Sequence, residues 1–317
     1  MPKTKKRSVF AYLKQVLRIW VNFVEAGHPI DGAGQIEHGG IRLCVQGDIP
    51  LERLGPCRVW RAATSVQIDG CALFREQIGS QSTGYRHVDT ARIYGNEADV
   101  GAGLRAAGIP REDVFITTKL WESDHGHDSA KAACRESARQ MGLDYIDLFL
   151  IHWPVPHKRR YSWMGMEELI DDGVARAIGV SNYVEHHLQE MFGYARMLPA
   201  VNQIELSPYN YMQRRGTVEL CRANGIAVEA YSPLTKGRKL GDPRLVAMAA
   251  RYERTPAQIL IRWCLEKEFI VLVKSNRPER IRENADVFDF SLTDEDMTEL
   301  DGFNENLATG WDPTGEP

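Results

Sequence analysis

The sequence predicts an α/β protein, a (β/α)8 TIM barrel with an N-terminal hairpin and a C-terminal tail over the pocket. Two observations support this prediction. Seven short apolar runs recur along the chain, separated by stretches of roughly 15 to 35 residues that mostly show helical periodicity. Each run also ends on a polar residue. Repeated strand–helix units form parallel sheets, and eight of them close into a barrel whose pocket lies where the strands end.

The residues that follow the seven runs are of types that bind ligands or move protons. In chain order they are Asp89, Lys119, His152, Ser181 with Asn182, Gln203, Tyr231 and Lys274. An eighth unit, the first in the chain, is expected within residues 56–83, where the periodicity is weakest.

The N-terminal part of the chain is expected to precede the barrel. Residues 1–40 are interpreted as an extension and a Gly-rich linker, and residues 41–317 as the barrel domain. The stretch 8–24 is basic and helical in period, which fits a targeting or membrane-surface helix, an accessory helix, or translated sequence upstream of the true start. Residues 41–55 alternate and are predicted to form the hairpin that closes the barrel floor.

The helices are predicted from their apolar period and their end signals. Asp128 is expected to cap the second helix, and Gly142 and Gly173 to end the second and third. The predicted ranges are 96–108, 128–142, 161–173, 184–197, 213–225, 243–255, 256–268, 278–288 and 291–303. An irregular tail follows, long enough to reach the mouth of the pocket.

Composition narrows the possible partners. The net charge is −4, which gives no basic surplus for nucleic acid. Six cysteines without a CxxC pair indicate reduced thiols and a cytoplasmic protein, with organelle targeting as the alternative. No apolar run is long enough to span a membrane. His125 and His127 are the only hint of a metal site, and two loop histidines without a third ligand do not predict one.

Four residues suit acid catalysis: Asp89, Tyr94, Lys119 and His152. A tyrosine has an ordinary pKa near ~10, and a neighbouring ammonium lowers it. The aspartate would hold the lysine, and the histidine would orient a carbonyl by hydrogen bonding. Such a group protonates a carbonyl oxygen but supplies no hydride, so a nicotinamide cofactor is expected. The alternative is an ion pair inside the barrel, with the other two residues only packed nearby.

Seven ordered motifs resemble those of the aldo-keto reductases, from about Gly84 to Asp301. They are GYRHVDTARIYGNEADVG (84–101), TTKLW (117–121), DLFLIHWP (147–154), RAIGVSN (176–182), VNQIELSPY (201–209), EAYSPL (229–234) and VKSNRPERIREN (273–284). Within the family the chain is most similar to bacterial-type reductases related to 2,5-diketo-D-gluconate reductase and prostaglandin F synthase.

The resemblance implies a role for each site residue. Tyr94 is implied to donate the proton, Lys119 and Asp89 to adjust the acidity of Tyr94, and His152 to orient the carbonyl. The nicotinamide is implied to contact Ser181, Asn182, Gln203 and Tyr231. The rest of NADPH is implied to contact Ser232 and Leu234 at the pyrophosphate, Lys274, Ser275 and Arg280 at the 2′-phosphate, and Glu283 and Asn284 at the adenine.

The phosphate assignment also has a physical basis. Two cations and a hydroxyl follow the last strand at the start of a helix, a pattern that suits a phosphate dianion. The alternative is a solvated basic helix start, because Arg277 and Arg282 lie there as well as Arg280.

Substrate residues are less clear from the sequence. Trp121 is expected to form a wall of the pocket together with His152, and the alternative for Trp121 is core packing. The Gly-Thr-aromatic motif usual in the family is replaced by LGPCRVW (54–60), which makes Trp60 the corresponding wall residue in either an altered first unit or a misread gene. Trp311 in the tail is either a lid residue or an exposed aromatic. Val273 replaces the proline that often precedes the phosphate-binding lysine.

These expectations favour NADPH-dependent reduction of aldehydes or ketones by direct hydride transfer, with small or polar carbonyls as substrates. The alternative is an NADPH-binding regulatory subunit that senses redox state without significant turnover. By resemblance, the protein is expected to be a monomer.

Overall fold

The computed structural model describes residues 85–317 and, before them, the backbone of three strands. The strands before residue 85 are β1 (Gln35–His38), β2 (Ile41–Cys44) and β3 (Thr64–Gln67). Those after it are β4 (His87–Asp89), β5 (Phe115–Leu120), β6 (Ile146–Ile151), β7 (Ala175–Ser181), β8 (Val201–Glu205), β9 (Ala227–Tyr231) and β10 (Ile270–Val273).

Strands β3 to β10 form a closed parallel barrel in chain order, because β10 pairs with both β9 and β3. This confirms the predicted (β/α)8 barrel and its seven regular strands. Strands β4 to β8 are buried nearly throughout, as expected for parallel strands covered by helices on one face and filled by side chains on the other. At Gly179 a Cβ would lie 2.6 Å from the carbonyl oxygen of Val201, so only glycine fits between β7 and β8.

The N-terminal hairpin is present but lies earlier than predicted. Its antiparallel strands pair His38 with Ile41 and Gln35 with Cys44. It therefore begins inside the stretch expected to be a linker, because the run QIEH within that stretch pairs with the run IRLC that follows it. Residues 45–55 and the basic stretch 8–24 lie outside the described residues. The first barrel strand, β3, lies within residues 56–83, where the eighth unit was expected, and ends at Gln67.

Nine α-helices lie in the described part of the chain. They are α1 (Glu97–Ala107), α2 (His127–Met141), α3 (Arg159–Asp171), α4 (Glu185–Phe192), α5 (Tyr211–Ala223), α6 (Pro243–Arg251), α7 (Pro256–Glu266), α8 (Pro278–Ala285) and α9 (Asp294–Asp301). Within the ranges that the structure covers, no helix combines the length and the apolar character needed to cross a bilayer.

Several helix ends differ from prediction, and for two of them the local contacts show the cause. The cap of α2 is Gly126, and Asp128 lies in the first turn, where its carboxylate is bonded to His127. Helix α4 stops five residues before the predicted end. The backbone N–H groups of Tyr194 and Ala195 both bond to the carbonyl of Met191, which closes the helix in a tight last turn.

Candidate active site

Asp89 and Lys119 form a buried ion pair inside the barrel. They lie on the neighbouring strands β4 and β5, and Lys119 Nζ donates to Asp89 Oδ1 at 2.5 Å and to the Thr90 carbonyl at 2.8 Å. Burial alone would lower the pKa of Lys119, but the charge and hydrogen bond of Asp89, together with the charges of Tyr94 and Glu229, outweigh burial and raise the pKa. The lysine is therefore an ammonium at neutral pH, held as a fixed positive charge.

Tyr94 is placed beside this ammonium by a rigid turn. A single 3-10 turn, Arg92–Tyr94, follows β4 and ends at Gly95, whose φ of 67° is left-handed and favours glycine. The turn is braced by an ion pair between Arg92 and Asp124 at 2.7 Å. Lys119 Nζ lies 5.4 Å from the centre of the Tyr94 ring, and 37% of Tyr94 is exposed. The phenol therefore lies between a buried cation and the solvent side of the pocket.

His152 completes the predicted group of four. It follows β6 directly, and its ring meets that of Tyr94 edge to face at 5.8 Å between centroids. Burial, with a smaller effect of the Lys119 charge, lowers the pKa of His152 to about 3. The imidazole is thus neutral at physiological pH and can act as a hydrogen-bond donor without carrying charge. The structure brings all four predicted residues together.

Residues predicted to bind the nicotinamide form a second polar group at the ends of β7, β8 and β9. Asn182 Nδ2 donates to the His152 carbonyl at 2.9 Å, and Tyr231 Oη donates to Asn182 Oδ1 at 2.8 Å. Ser181 Oγ donates to the Gln203 carbonyl at 2.9 Å. Asn182 has a left-handed φ of 64°, which turns the chain sharply after β7. These four residues are therefore linked to the predicted catalytic group through one network of hydrogen bonds.

Gln203 joins the two groups directly. Its Nε2 donates to Asp89 Oδ2 at 2.9 Å and to Glu229 Oε2 at 2.8 Å. Glu229 is fully buried on β9 and was not among the predicted residues. A carboxylate inside the buried run IAVEAY, two residues before Tyr231, was the available signal. Asp89, Lys119, Gln203 and Glu229 form one continuous polar cluster within the barrel.

The predicted phosphate residues lie apart from this cluster, after β10. Lys274 and Arg280 are exposed, and Pro278 begins α8 with its fixed φ. Ser275 Oγ accepts from the backbone N–H of Arg277 at 3.2 Å. Glu283 is bonded to Thr255 at 2.6 Å, and Asn284 is buried, so both contribute to the contact of α8 with its neighbours.

The loop after β9 carries the residues predicted for the pyrophosphate. Ser232, Thr235 and Lys236 all have left-handed φ angles, which gives a tightly curved backbone. Leu234 is half-buried in this loop and packs against the core. Lys236 Nζ donates to the carbonyl of Thr309 in the tail at 2.7 Å.

The C-terminal tail crosses the mouth of the barrel, as predicted. The carboxylate of Glu205, at the end of β8, accepts from the backbone N–H groups of Thr309 at 2.8 Å and Gly310 at 3.0 Å. Arg214 holds Asp312 at 2.8 Å. These contacts fix the tail over the strand ends.

Trp311 places the tail against the predicted substrate wall. Its ring lies 5.9 Å from that of Trp121 and 5.7 Å from that of Trp153, while Trp121 meets His152 at 5.3 Å. Trp311 is itself 62% exposed. The three tryptophans form an aromatic wall beside the predicted catalytic group. Trp60 lies outside the described residues, so its role stays a prediction.

Metal chemistry has no visible basis in the described part of the chain. No group of three His, Cys, Asp or Glu residues there could hold an ion. His125 is bonded to Ser162 and His127 to Asp128 and Glu168, so both loop histidines have protein partners.

The closed barrel and the tyrosine, lysine, aspartate and histidine at its strand ends define the class of protein to which this chain is compared. A sequence profile described as the Aldo/keto reductase family matches residues 81–305. The chain therefore belongs to the aldo/keto reductase family, and it is an NAD(P)H-dependent oxidoreductase.

Individual relatives support this assignment. The 9,11-endoperoxide prostaglandin H2 reductase of Trypanosoma cruzi is 42% identical over 258 residues, which cover 80% of this chain and 89% of that protein. The glyoxal reductase of Bacillus subtilis is 40% identical over 253 residues, 77% of this chain and 91% of that one. The crystal structure of a Bombyx mori aldo-keto reductase in complex with NADP has a TM-score of 0.71 at 33% identity, covering 78% and 90% of the two chains.

Proposed function

We propose that this protein reduces aldehydes and ketones to alcohols with NADPH, and that Tyr94 is the general acid. The observation that supports this most strongly is the position of Tyr94 beside a buried, charged Lys119. When bound, NADPH supplies the hydride that the carbonyl carbon accepts. Tyr94 Oη gives its proton to the carbonyl oxygen, so the product is a neutral alcohol.

The other three residues act on Tyr94 or on the carbonyl. The Lys119 ammonium stabilises the phenolate that remains after proton donation, and Asp89 holds that ammonium in place. His152, neutral at physiological pH, donates a hydrogen bond to the carbonyl oxygen and fixes its direction. None of these three residues needs to change its own protonation state.

The chain offers suitable groups for each part of the cofactor. Gln203, Asn182 and Ser181 present amide and hydroxyl groups for the carboxamide, and the Tyr231 ring offers a face for stacking. Exposed Lys274 and Arg280 suit the 2′-phosphate dianion that distinguishes NADPH from NADH. Ser232 and Leu234 would flank the pyrophosphate, with Glu283 and Asn284 near the adenine.

The substrates we propose are small or polar carbonyls. The glyoxal reductase relative acts, by its name, on a small dicarbonyl, and the aromatic wall of Trp121 and Trp311 lines one side of the pocket here. We further propose a cytoplasmic monomer. The described cysteines, Cys134, Cys221 and Cys264, are unpaired, which suits a reducing compartment.

A turnover assay tests the proposal against the redox-sensing alternative. Purified protein is mixed with NADPH and a panel that includes glyoxal, a linear aldehyde, an aromatic aldehyde and a simple ketone, and NADPH oxidation is followed. Oxidation that depends on the carbonyl supports a reductase. Tight NADPH binding without turnover on any member of the panel would contradict it and favour a sensor.

A further inference from the structure

Glu229 is a buried carboxylate that the proposed chemistry does not use. It lies on β9 opposite Gln203 on β8, and none of its surface is exposed. A buried carboxylate is costly unless it is paired or hydrogen-bonded, so its position in this cluster requires a reason.

The amide of Gln203 gives that reason. Both hydrogens of its Nε2 are used, one on Asp89 Oδ2 and one on Glu229 Oε2. With the amide reversed, its oxygen would face two carboxylate oxygens, and that contact is repulsive. The two carboxylates therefore fix which way the amide points. Within the ranges that the structure describes, Gln203 Oε1 receives no hydrogen bond and remains available as an acceptor.

The position of Glu229 links it to the predicted nicotinamide site. It lies two residues before Tyr231, on the same face of β9, because side chains alternate along a strand. Ser181, on the other side of Gln203, is its register partner on β7. Gln203 Oε1 thus belongs to the group that also contains Ser181 and Tyr231, and a carboxamide brings N–H donors that need such an acceptor.

We propose that Glu229 is a positioning residue that holds the Gln203 amide with its oxygen available to the nicotinamide carboxamide of NADPH. This inference rests on the proposed function for the identity of the cofactor. A purely electrostatic role is the competing explanation, because the charge of Glu229 also favours the Lys119 ammonium. The two roles differ in whether Glu229 acts through Gln203.

A double-mutant cycle on NADPH binding separates them. The dissociation constant is measured by fluorescence titration without any carbonyl. Glu229→Ala and Gln203→Ala are each expected to weaken binding by about tenfold, the upper end of the range for one hydrogen bond between neutral groups. Because Glu229 acts through Gln203, the double variant should bind as weakly as Gln203→Ala alone and no worse.

Glu97→Ala is the matched control. Glu97 is also a buried carboxylate, but it accepts from Thr118 on the outer face of β5, so its loss should leave NADPH binding unchanged. If Glu229→Ala does not fold, the same cycle is run with Glu229→Gln, which keeps the volume. A neutral acceptor is expected to weaken binding by about threefold, again only when Gln203 is present.

Three outcomes are informative. Full coupling between the two positions supports the inference. Independent effects that multiply, or native affinity in the Glu229 variants, would overturn it while leaving the proposed reductase intact. A native protein that binds no NADPH at all would overturn both, and that result is visible before any variant is made.

Discussion

At the residue scale, the burial of Lys119 determines its effect on stability as well as on Tyr94. It is fully buried, and its ammonium is shared between Asp89 and the Thr90 carbonyl. A charge in such a place is stable only when it is paired, and removal of one partner leaves the other uncompensated. Lys119 therefore has a structural role as well as its proposed effect on Tyr94.

Lys119→Met should destabilise the protein by about 3–5 kcal/mol, because the Asp89 carboxylate stays buried without its cation. Adding Asp89→Asn should recover part of that loss. Urea unfolding measures both. The control is Arg215→Gln, which removes an exposed ion pair with Glu219 and should cause no measurable change. A Lys119→Met protein as stable as the native one would contradict the pairing argument.

Buried histidines should make the protein sensitive to acid. Burial, with the nearby Lys119 charge, lowers the pKa of His87 to about 3, and burial with other positive charges lowers that of His125 and His187 to about 4. Between the ordinary value of 6.5 and these values, the unfolded chain binds protons that the folded chain does not. Stability therefore falls as pH drops through this window.

His87→Gln removes one of these titrating groups. The amide can keep the contact that His87 makes with Thr117 at 2.9 Å, but it does not titrate. The dependence of unfolding free energy on pH should become shallower by about one proton between pH 6 and pH 4. Equal slopes in His87→Gln and the native protein would show that His87 is not held neutral by the fold.

At the element scale, the tail is the part of the pocket that a substitution can alter most selectively. Glu205 and Arg214 hold its backbone and Asp312, so Trp311 projects from a fixed segment. Trp311→Ala removes the aromatic contacts with Trp121 and Trp153. The KM for an aldehyde should rise by about three- to tenfold from the lost apolar contact, with NADPH affinity unchanged.

Steady-state kinetics in which the aldehyde and NADPH are varied in turn give a separate KM for each of them. Tyr161→Ala is the matched control, because Tyr161 is 57% exposed, against 62% for Trp311, and the ring contacts with Trp121 and Trp153 in the described part of the chain are made by Trp311. Equal KM values for Trp311→Ala and the native protein would show that Trp311 does not contact the substrate.

The segment between β10 and α8 should decide between NADPH and NADH. Arg280→Ala should raise the KM for NADPH by about tenfold and leave that for NADH nearly unchanged, because only NADPH carries the 2′-phosphate. Arg282→Ala provides the comparison, since Arg282 is also exposed on the same helix. If both variants weaken the two cofactors equally, the phosphate assignment is wrong and α8 is only a solvated basic helix.

The elements that the sequence predicted share a physical reason. Parallel barrel strands are buried on both faces, so they appear as nearly continuous apolar runs, and the polar residue that ends each run is visible at once. Asp89, Lys119 and His152 were predictable in this way. Glu229 was not, because it lies inside an apolar run and its partners Asp89 and Gln203 are on other strands. The hydrogen bonds that hold the tail to Glu205 were not predictable for the same reason, because their partners are far apart in the sequence.

At the scale of the whole molecule, the barrel unites two chemical tasks. Closure of the sheet brings β4, β5 and β6, which are followed by the proposed proton-donating group, opposite β7, β8 and β9, which carry the predicted nicotinamide residues. Gln203 and Asp89 connect the two halves by a direct hydrogen bond. The unit with the weakest periodicity, residues 56–83, was predicted without strand bounds because the local pattern gave little there, and the structure places β3 within it at Thr64–Gln67.

The central claim is that Tyr94 donates the proton. The most direct test is the rate of NADPH-dependent carbonyl reduction by Tyr94→Phe, which removes one hydroxyl and keeps the ring beside Lys119 and His152. We expect the rate at saturating NADPH to fall by at least about a hundredfold, the usual scale of general acid catalysis, while titration shows native NADPH affinity. A Tyr94→Phe protein that reduces aldehydes at close to the native rate would contradict the account.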